Sequence, residues 1–562
     1  MPSSRPLRFD DLILRPVGDR AVLVQLPHLA DVMKLHDRLL RCPLDGQVDA
    51  VAAAETVLVT GVSAAAAATF AVQLAALGAT ETTGAATPLG DARTPPSTNA
   101  AAPLDTVLML DTVYDGADLD TVAELTGLSR DGVIRAHSEQ VWTAAFGGFA
   151  PGFAYLVGDD RLVVPRRDSP RAAVPAGSVA LADRYSAVYP RVTPGGWQLI
   201  GRTGERLWDL DRARPALIAP GTRVQFRSVR ATAVVGPNPA VTGRSAATGT
   251  IPAGLVVLQP GVQTTLQDLG RTGYADLGVA ASGALDRAAL RQANRLAGNP
   301  ASAAVLENAL GGLELQARAH QVVAVTGASV TLTVLSNTPG ATPRRVPTHT
   351  PLALNTGDRL SVGAPHAGVR CYLAVRGGFD VPLVLGSRST DTLSGVGPAP
   401  MTIGTALAVF PTPSTGVVGA PEPAPAPPTD ITELRYLTGP RADWIDPTSI
   451  AEFTNALWCV TAQSNRIGLR LHGPALARAR GGELPSEGTV SGAIQVPASG
   501  LPVLFLADHP VTGGYPVLGV VVHADLDKAA QLPTGARIRF VPVTGIQAQQ
   551  SQTDSPTPQR KG

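Results

Sequence analysis

Three short patterns occur in the same order in each half of the sequence, and this repeat constrains the fold more than any other feature. The patterns are VPAGSVALA, TPGGWQLIG and PGTRVQF within 174–226, and SGAIQVP, VTGGYPVLG and PTGARIRF within 491–540. Each set has the form of a small-residue strand, a Gly-Gly-aromatic turn and a closing strand headed by a Gly turn. A repeat of this length predicts two related β-barrels, in which Gly195 and Gly513 occupy equivalent turns.

The rest of the chain is also rich in short strands. Runs such as LVVPRR (162–167) and PVLFLA (502–507) have strand length and are bounded by Gly or Pro. Apolar residues recur at helical spacing in only a few places, which are 28–41, 117–126, 130–137 and 283–298. The alanine-rich stretch before Gly78 predicts one more helix, ending at that glycine. The fold class is therefore mainly β with α+β elements.

Composition shifts divide the chain into domains. Stretches rich in Gly, Pro, Ala and Thr at 84–103 and 414–429 are typical of linkers, and a weaker junction lies near 235–252. The sequence therefore predicts an N-terminal α+β domain, a first barrel, a third domain, a second barrel and a disordered tail. Their bounds are 1–83, 104–235, 253–413, 430–545 and 546–562.

Composition also excludes several classes of partner. The 46 basic and 45 acidic residues give a net charge of +1, so we expect neither nucleic acid nor a membrane surface as a partner. The uncharged stretch 56–80 is broken by Gly and polar residues and is predicted not to span a bilayer. The N-terminal segment has no apolar core of a signal peptide, and three widely spaced cysteines suit a reducing compartment. We therefore expect a cytoplasmic protein.

Motif searches by chemistry alone give no cofactor. The sequence contains no GxxxxGK[ST] phosphate loop and no HExxH pair. The nine histidines are scattered without the spacing of metal ligands, so no metal site is predicted.

Longer blocks resemble a known family. HSEQVWTAAFGGFAPGFAYLVG (137–158) and the block 164–203 resemble the B component of 5-oxoprolinase, a family that includes Kip-type kinase-inhibitor proteins. Blocks at 258–299, 372–392 and 486–517 resemble the C component of the same enzyme. The same two modules form the carboxyltransferase part of biotin-dependent urea carboxylase. The resemblance implies cyclophilin-like barrels in both halves.

The resemblance also implies an activity, which is the ATP-dependent opening of the 5-oxo-L-proline lactam to L-glutamate. It implies ATP with Mg²⁺ as co-substrate of a complex, and the A component of 5-oxoprolinase, of the lactam-utilisation family, as the protein partner. Two alternatives stay open, namely carboxyl transfer and a non-catalytic Kip-type regulator of a histidine kinase. Carboxyl transfer needs a biotin-accepting lysine, and the only Met-Lys pair, Met33-Lys34, lies in an amphipathic helical pattern. No biotin attachment site is therefore expected.

Candidate site residues follow from the chemistry of a lactam, whose carbonyl needs activation and whose carboxylate needs a cation. We expect Asp508 as a general base on water and Arg466 as a cation at the same site, although a structural Asp–Arg pair joining two loops is the alternative. His137 is a candidate proton shuttle and Glu487 a further catalytic candidate. His509 stands where relatives carry arginine, so a cation is not expected there.

Substrate binding is assigned to cationic, aromatic, polar and glycine positions in the blocks that resemble the family. Three neighbouring arginines are candidates for a carboxylate clamp, and the Gly-Gly turns are candidates for backbone N–H donors to an oxyanion. Asp286 is equally suited to cap a helix. The full set is Arg166, Arg167, Arg171, Phe149, Gly152, Gly195, Gly196, Gln267, Asp268, Arg271, Asp286, Arg388, Gln495, Gly513 and Gly514.

Overall fold

The N-terminal part of the chain is an antiparallel sheet with two helices. The computed structural model describes residues 12–81, 106–230, 254–412, 416–426, 429–482 and 484–544, so the first predicted linker, the junction near 235–252 and the tail lie outside the described residues. The sheet has the order β1-β2-β4-β3. Its elements are β1 (Ile13–Val17), β2 (Ala21–Gln25), α1 (Leu29–Arg41), β3 (Gln47–Ala52), β4 (Thr56–Gly61) and α2 (Ala64–Glu81).

Helix α2 corrects one prediction, because it continues past Gly78 to Glu81. A glycine inside an alanine-rich helix costs only about 1 kcal/mol relative to alanine, so it does not have to end the helix. In the part of the chain that the structure describes, no helix is long and apolar enough to cross a membrane.

The second part is a closed barrel with the circular order β10-β7-β6-β13-β5-β12-β9, and β8 and β11 form a separate two-stranded ribbon. Its elements are β5 (Val107–Val113), α3 (Leu119–Thr126), α4 (Arg130–Ser138), β6 (Trp142–Gly147), β7 (Ala154–Val157), β8 (Arg171–Val174), β9 (Ser178–Ala182), β10 (Tyr185–Val188), β11 (Thr193–Gly195), β12 (Gln198–Thr203) and β13 (Arg223–Ser228).

One predicted strand of this barrel is wrong. Residues 162–167 form a loop in which Val164 alone makes a β-bridge, to Asp183. The following residue, Pro165, has no N–H group, so a ladder of hydrogen bonds cannot continue through it.

The third part is a nine-stranded sheet covered by one helix. The sheet follows the order β15-β16-β21-β17-β14-β22, with β18 pairing β19, β20 and β21. Its elements are β14 (Gly254–Pro260), β15 (Gln263–Gln267), α5 (Arg287–Ala297), β16 (Val305–Ala309), β17 (Leu313–Ala317), β18 (Gln321–Leu335), β19 (Arg344–Val346), β20 (Leu352–Leu354), β21 (Arg359–Val375) and β22 (Ala406–Ala408).

The second predicted linker is bound to this helix along its described part, 416–426. The Gly419 N–H donates to the Leu296 carbonyl at 3.0 Å, and Glu422 pairs with Arg295 at 2.8 Å. The proline-rich composition therefore does not make this segment a free spacer.

The fourth part is a second closed barrel, with the circular order β23-β30-β27-β28-β25-β24-β31 and a ribbon of β26 and β29. Its elements are β23 (Ile431–Thr438), α6 (Pro447–Asn455), β24 (Trp458–Val460), β25 (Gly468–His472), β26 (Glu487–Gly488), β27 (Ala493–Gln495), β28 (Val503–Phe505), β29 (Thr512–Gly513), β30 (Val517–Val521), α7 (Leu526–Ala530) and β31 (Arg537–Pro542). Helix α6 starts with Asp446 as N-cap and Pro447 in the first turn, two residue types that favour a helix start.

The two barrels have the same topology, which confirms the repeat. The strands of the two barrels can be matched in chain order, starting with β5 and β23 and ending with β13 and β31. With this matching, the two circular orders are identical. In the first ribbon Gly195 pairs with Arg171, and in the second Gly513 pairs with Glu487. The two glycines are therefore equivalent.

The N-terminal sheet joins the two barrels, because it is apolar on both faces. Val57 and Val59 of β4 pack into one core with the helices and with aromatic residues of the first barrel. Leu58, between them, points to the other face and packs in a core with Phe505 and Val520 of the second barrel. Gly488 permits this approach, since a Cβ there would lie 2.6 Å from the Leu58 Cβ.

A pair of acidic side chains lies where the N-terminal sheet meets the third part. Asp49 of β3 accepts hydrogen bonds from the backbone N–H groups of Gly273 at 2.9 Å and Ala275 at 3.3 Å. Burial raises the pKa of Asp49 to about 6. Burial and the charge of Asp49 raise the pKa of the neighbouring Asp276 to about 7.

These raised pKa values predict that protonation of Asp49 and Asp276 stabilises the folded chain. In the folded chain both carboxyl groups have pKa values above the ordinary value of about 3.9, so folding favours their protonated forms. Their contribution to the free energy of unfolding is therefore complete below about pH 4 and is lost as pH rises through about 6 to 7. Asp276→Asn removes the charge, so it should raise the Tm at pH 8 by a few degrees and flatten the pH dependence. Thermal unfolding at pH 5 and pH 8 measures both effects, with the exposed Asp45→Asn as control. A lower Tm for Asp276→Asn at pH 8 would contradict this account.

An ion pair occupies the same place in both barrels with its charges reversed. In the first barrel, Asp118 follows β5 and accepts from Arg171 of the ribbon at 2.8 Å. In the second, Arg441 follows β23 and donates to Glu487 of the ribbon through Nε at 2.9 and 3.0 Å. The backbone confirms the equivalence, since the Asp118 N–H donates to the Leu199 carbonyl and the Arg441 N–H to the Val517 carbonyl.

The second pair is buried on both sides, so we expect its halves to be strongly coupled. Arg441→Met leaves Glu487 without its cation, and loss of one partner of a buried pair costs about 3–5 kcal/mol. The double variant Arg441→Met/Glu487→Leu should recover most of that loss. Denaturant midpoints of the two single variants and the double variant measure the coupling. A double variant less stable than Arg441→Met would show that the two side chains act independently.

Candidate functional site

The site with the clearest chemistry is a pocket at the mouth of the first barrel. It has a volume of about 760 Å³, within the range of small-molecule sites. Residues of the first barrel form most of its wall, and Leu484, Pro485 and Ser486 of the second barrel cover one side. Ala54 of the β3–β4 turn also lines it, and its N–H donates to the Ser486 carbonyl at 3.2 Å. The N-terminal sheet thus holds the covering segment in place.

Four aromatic rings form one wall of this pocket. Phe146 stacks on Tyr155 with ring centroids 4.3 Å apart, and Tyr185 and Trp197 each meet Tyr155 edge-on at 5.5 Å. Burial raises the pKa of Tyr155, against opposing effects of the Arg166 charge and a hydrogen bond with Ser486. Burial raises the pKa of Tyr185 to about 12. Both phenols are therefore neutral at physiological pH and available as hydrogen-bond donors.

Only part of the predicted arginine clamp faces this pocket. Arg166 and Arg167 line it, whereas Arg171 does not. Arg167 and Arg171 both donate to the Asp118 carboxylate, at 2.7 and 2.8 Å. The three-arginine clamp is therefore corrected, because two of its members already bind a carboxylate of the protein. Arg166 is kept as the candidate cation because of its position in the pocket wall.

Asp183 also lines the pocket and has an unusual backbone conformation. Its φ is +52°, a conformation that few non-glycine residues adopt. Reciprocal backbone hydrogen bonds with Val164, at 2.6 and 3.0 Å, hold it there. Asp183 lies in the two-residue turn between β9 and β10, where aspartate readily adopts a positive φ. It is a candidate because it lines the pocket, a position that the sequence did not indicate.

Asp508 and Arg466 lie in a buried network between the third part and the second barrel. Asp508 is fully buried and accepts from Arg466 at 2.9 and 3.0 Å, from the Ser282 hydroxyl at 2.6 Å, and from the Thr392 N–H and hydroxyl at 2.9 and 2.7 Å. Arg466 also donates to Glu307. Burial opposes ionisation of Asp508, but the Arg466 charge and the hydrogen bonds lower its pKa below the ordinary value.

This geometry corrects the general-base assignment of Asp508. A carboxylate has about four lone-pair positions, and the five donors leave none for a water molecule. The Arg466 guanidinium is likewise surrounded by protein acceptors and only 2% exposed. The structure therefore favours the alternative, a structural pair that fixes two loops.

A neighbouring group of predicted binding residues has the same structural role. Asp268 accepts from the Ser387 hydroxyl at 2.7 Å and the Arg388 N–H at 2.6 Å. Gln267 donates to the Thr390 carbonyl at 2.9 Å, and Arg271 donates to the Val384 carbonyl at 3.4 Å. These contacts hold the loop 384–392 against β15.

Other predicted site residues also have protein partners. Asp286 caps α5 by accepting from the Ala289 N–H at 2.8 Å. Arg388 donates to the Val381 carbonyl at 2.6 Å, and Gln495 donates to the Tyr515 carbonyl at 3.1 Å. Glu487 is engaged with Arg441, as described above. None of these side chains lines the aromatic pocket.

His137 is corrected from proton shuttle to core residue. It is fully buried, and its two ring nitrogens bond to Tyr114 and Ser186, each at 2.8 Å. Burial lowers its pKa to about 3, so the ring stays neutral. The equivalent position in the second barrel is Phe453, which packs on Trp458 as His137 packs on Trp142.

The predicted glycine and aromatic-loop residues serve packing rather than the pocket wall. Phe149 meets Phe153 edge-on at 5.0 Å, and the Gly152 N–H donates to the Leu277 carbonyl at 3.2 Å. A Cβ on Gly195 would lie 2.3 Å from the Tyr189 hydroxyl, and one on Gly513 would lie 2.7 Å from Gln495. Gly196 and Gly514 follow them, and none of the four lines the pocket. The predicted oxyanion donors of the Gly-Gly turns therefore do not belong to this pocket.

Two barrels of the same topology, joined by an α+β sheet and a large β-sheet, define a carboxyltransferase-domain protein with cyclophilin-like barrels. The family model for carboxyltransferase subdomains C and D matches residues 12–218, and that for subdomains A and B matches residues 277–542. The chain is 36% identical to the C component of 5-oxoprolinase from Escherichia coli over 51% of this chain and 90% of that protein. It belongs to the family of the B and C components of 5-oxoprolinase and joins both in one polypeptide.

Further similarities agree with this assignment. The B component of 5-oxoprolinase from Escherichia coli O157:H7 is 47% identical over 19% of this chain and 49% of that protein. Urea amidolyase of Lachancea kluyveri is 34% identical, but the chain spans only 17% of its length. The crystal structure of TTHA0988 covers 93% of this chain and 99% of its own, with 30% identity and a TM-score of 0.78.

The buried network predicts the behaviour of an Asp508→Asn variant. The asparagine has no negative charge, so the buried Arg466 guanidinium loses one of its two carboxylate partners. This loss should lower the free energy of unfolding by about 3–5 kcal/mol. The folded fraction should keep near-normal turnover in any assay of the complete enzyme. Melting and steady-state kinetics on the same preparation separate the two effects, with Asp443→Asn, which breaks an exposed pair with Arg480, as control. A loss of two orders of magnitude in kcat at unchanged Tm would restore Asp508 as a general base.

Proposed function

We propose that the chain is the fused B and C component of an ATP-dependent 5-oxoprolinase, which opens 5-oxo-L-proline to L-glutamate. The observation that supports this most is the composite pocket, whose wall comes from the first half and whose cover, 484–486, comes from the second. A site closed by both halves explains why both modules are needed in one functional unit. The relatives that match each half are named as 5-oxoprolinase subunits.

The pocket suits a small planar ring that carries a carboxylate. The lactam is flat, and aromatic side chains bind flat rings by stacking or edge contacts. Tyr155 and Tyr185 present neutral hydroxyl groups that can donate to a carbonyl oxygen. The Arg166 guanidinium is the cation for the substrate carboxylate.

Water must add to the lactam carbonyl carbon while the C–N bond breaks, which leaves a new carboxylate and a free amine. We assign the general base for this addition to Asp183, because it lines the pocket and its backbone is held in one conformation by Val164. This role replaces the one that the sequence suggested for Asp508.

The ATP-dependent part of the reaction belongs with a partner in this proposal. Among the residues that the structure describes, no three or more His, Cys, Asp or Glu side chains are grouped to hold a metal ion, and the sequence has no phosphate loop. No step of the reaction is assigned to Mg²⁺ or ATP on this chain. We propose the A component of 5-oxoprolinase as the partner that binds ATP and supplies the ATP-dependent part of the reaction.

The test is glutamate release from 5-oxoproline by the purified chain, with ATP and Mg²⁺, in the presence and absence of the A component. We expect negligible turnover by the chain alone and turnover once the A component is added. Asp183→Asn should lower kcat by about 10²–10⁴-fold, as for a lost general base. Arg166→Gln should raise KM by about 10-fold or more, as for a lost charged hydrogen bond.

Asp111→Asn is the matched control, since Asp111 lies in the same barrel, outside the pocket wall, in an exposed pair with Arg227. It should leave both kinetic constants unchanged. ATP-dependent turnover by the isolated chain would refute the need for a partner. Normal kcat for a folded Asp183→Asn would remove Asp183, and biotin-dependent carboxylation of urea without lactam opening would replace the proposed reaction.

A further inference from the structure

A second cavity lies where the N-terminal sheet, helix α5 and the second barrel meet. Its volume is about 300 Å³, and it shares no residue with the aromatic pocket. Most of its wall is apolar, and the apolar side chains come from all three parts. They include Val51, Leu58, Ala284, Leu285, Val511 and Val520.

Two arginines interrupt this apolar wall, one from each half of the chain. Arg20 lies in the turn between β1 and β2, and Arg287 is the first residue of α5. Within the described ranges, the Arg287 guanidinium has no hydrogen bond or ion pair, and the buried Arg20 Nε has no acceptor. The Arg20 guanidinium makes one long hydrogen bond, 3.4 Å from Nη1 to the Val62 carbonyl.

Charged side chains of both signs lie close to these arginines. Burial lowers the pKa of Arg287, and the charges of Arg291 and Arg20 lower it further, against the charge of Asp527. His523 lines the same cavity, and its pKa falls to about 3 through burial and the charges of Arg20, Arg287 and Arg291.

The acids on the cavity wall have backbone partners of their own. Asp19 accepts from the His523 N–H at 3.2 Å, and Asp527 accepts from the Arg287 N–H at 2.8 Å. Asp49 accepts two N–H groups of the third part, as described above. The nearby charge of Asp527 still acts on the Arg287 guanidinium and favours its charged form.

We propose that this cavity binds a small organic acid, with its carboxylate between Arg20 and Arg287 and its apolar body along Val51, Leu58 and Val520. Two guanidiniums at one end and aliphatic side chains along the rest match such a molecule better than a compact inorganic anion. Because the arginines belong to different halves, the bound carboxylate also screens their repulsion across the junction. The ligand therefore stabilises the docked arrangement of the halves.

Calorimetric titration of the full chain with acetate, butanoate and hexanoate tests the proposal, with inorganic phosphate as an anion that has no apolar body. Each added methylene should tighten Kd by about fourfold until the cavity is filled. The Tm should rise with ligand concentration. Phosphate should bind more weakly than hexanoate, and equal or tighter binding of phosphate would overturn the choice of an organic acid.

The matched variants are Arg287→Gln in the cavity and Arg318→Gln on an exposed surface of the same half. Arg287→Gln should weaken hexanoate binding at least tenfold, because one of the two guanidiniums that hold the carboxylate is removed. Its Tm without ligand should stay close to that of the wild type, because the Arg287 guanidinium is only half-buried and so has access to water. Arg318→Gln should bind hexanoate as the wild type does. No saturable binding by the wild type, or unchanged binding by Arg287→Gln, would overturn the site.

Discussion

The arrangement of the whole chain depends on one sheet that has no solvent-facing side. Along β4, Val57 and Val59 pack into the core shared with the first barrel, while Leu58 packs against the second. A strand alternates its side chains between two faces, so an apolar run in a four-stranded sheet requires a partner on each face. Helices α1 and α2 together with the first barrel cover one face, and the second barrel covers the other. The turn after β3 then brings Ala54 to Ser486, and this contact places the second barrel's segment over the first barrel's pocket.

A second constraint comes from the buried charges around Arg466. Its guanidinium joins Asp508 of the second barrel to Glu307 of the third part, and Ser282 and Thr392 complete the hydrogen bonds of Asp508. A buried ionic network tolerates little movement, because a displaced partner leaves an uncompensated charge. The network therefore fixes the second barrel on the large sheet. The N-terminal sheet and this network together define the distance between the barrels, and hence the shape of the composite pocket.

The sequence predicted the barrels well and the site poorly, and the difference has a physical origin. Gly195, Gly513 and the strands around them are encoded locally, since glycine, turn and strand patterns act within a few residues. By contrast, the local sequence around a polar residue does not distinguish a substrate-binding role, as proposed for Arg166, from a role in fixing a loop, as for Asp268. Ser486 lies more than 300 residues from Tyr155, so only the packed structure brings them together. Asp183 becomes a candidate only through its place in the pocket wall, which the sequence does not show.

The two barrels share one topology but differ in the residues at equivalent positions. Trp197 in the first barrel is buried in the aromatic wall, whereas its counterpart Tyr515 is 47% exposed with the Arg478 guanidinium 5.8 Å above its ring. The Asp118–Arg171 and Arg441–Glu487 pairs also differ, because their charges are reversed at equivalent positions. One barrel supplies the pocket and the other supplies its cover. Covalent fusion favours closure of such a site, because docking of the cover is intramolecular. The closed fraction then does not depend on the concentration of a separate polypeptide.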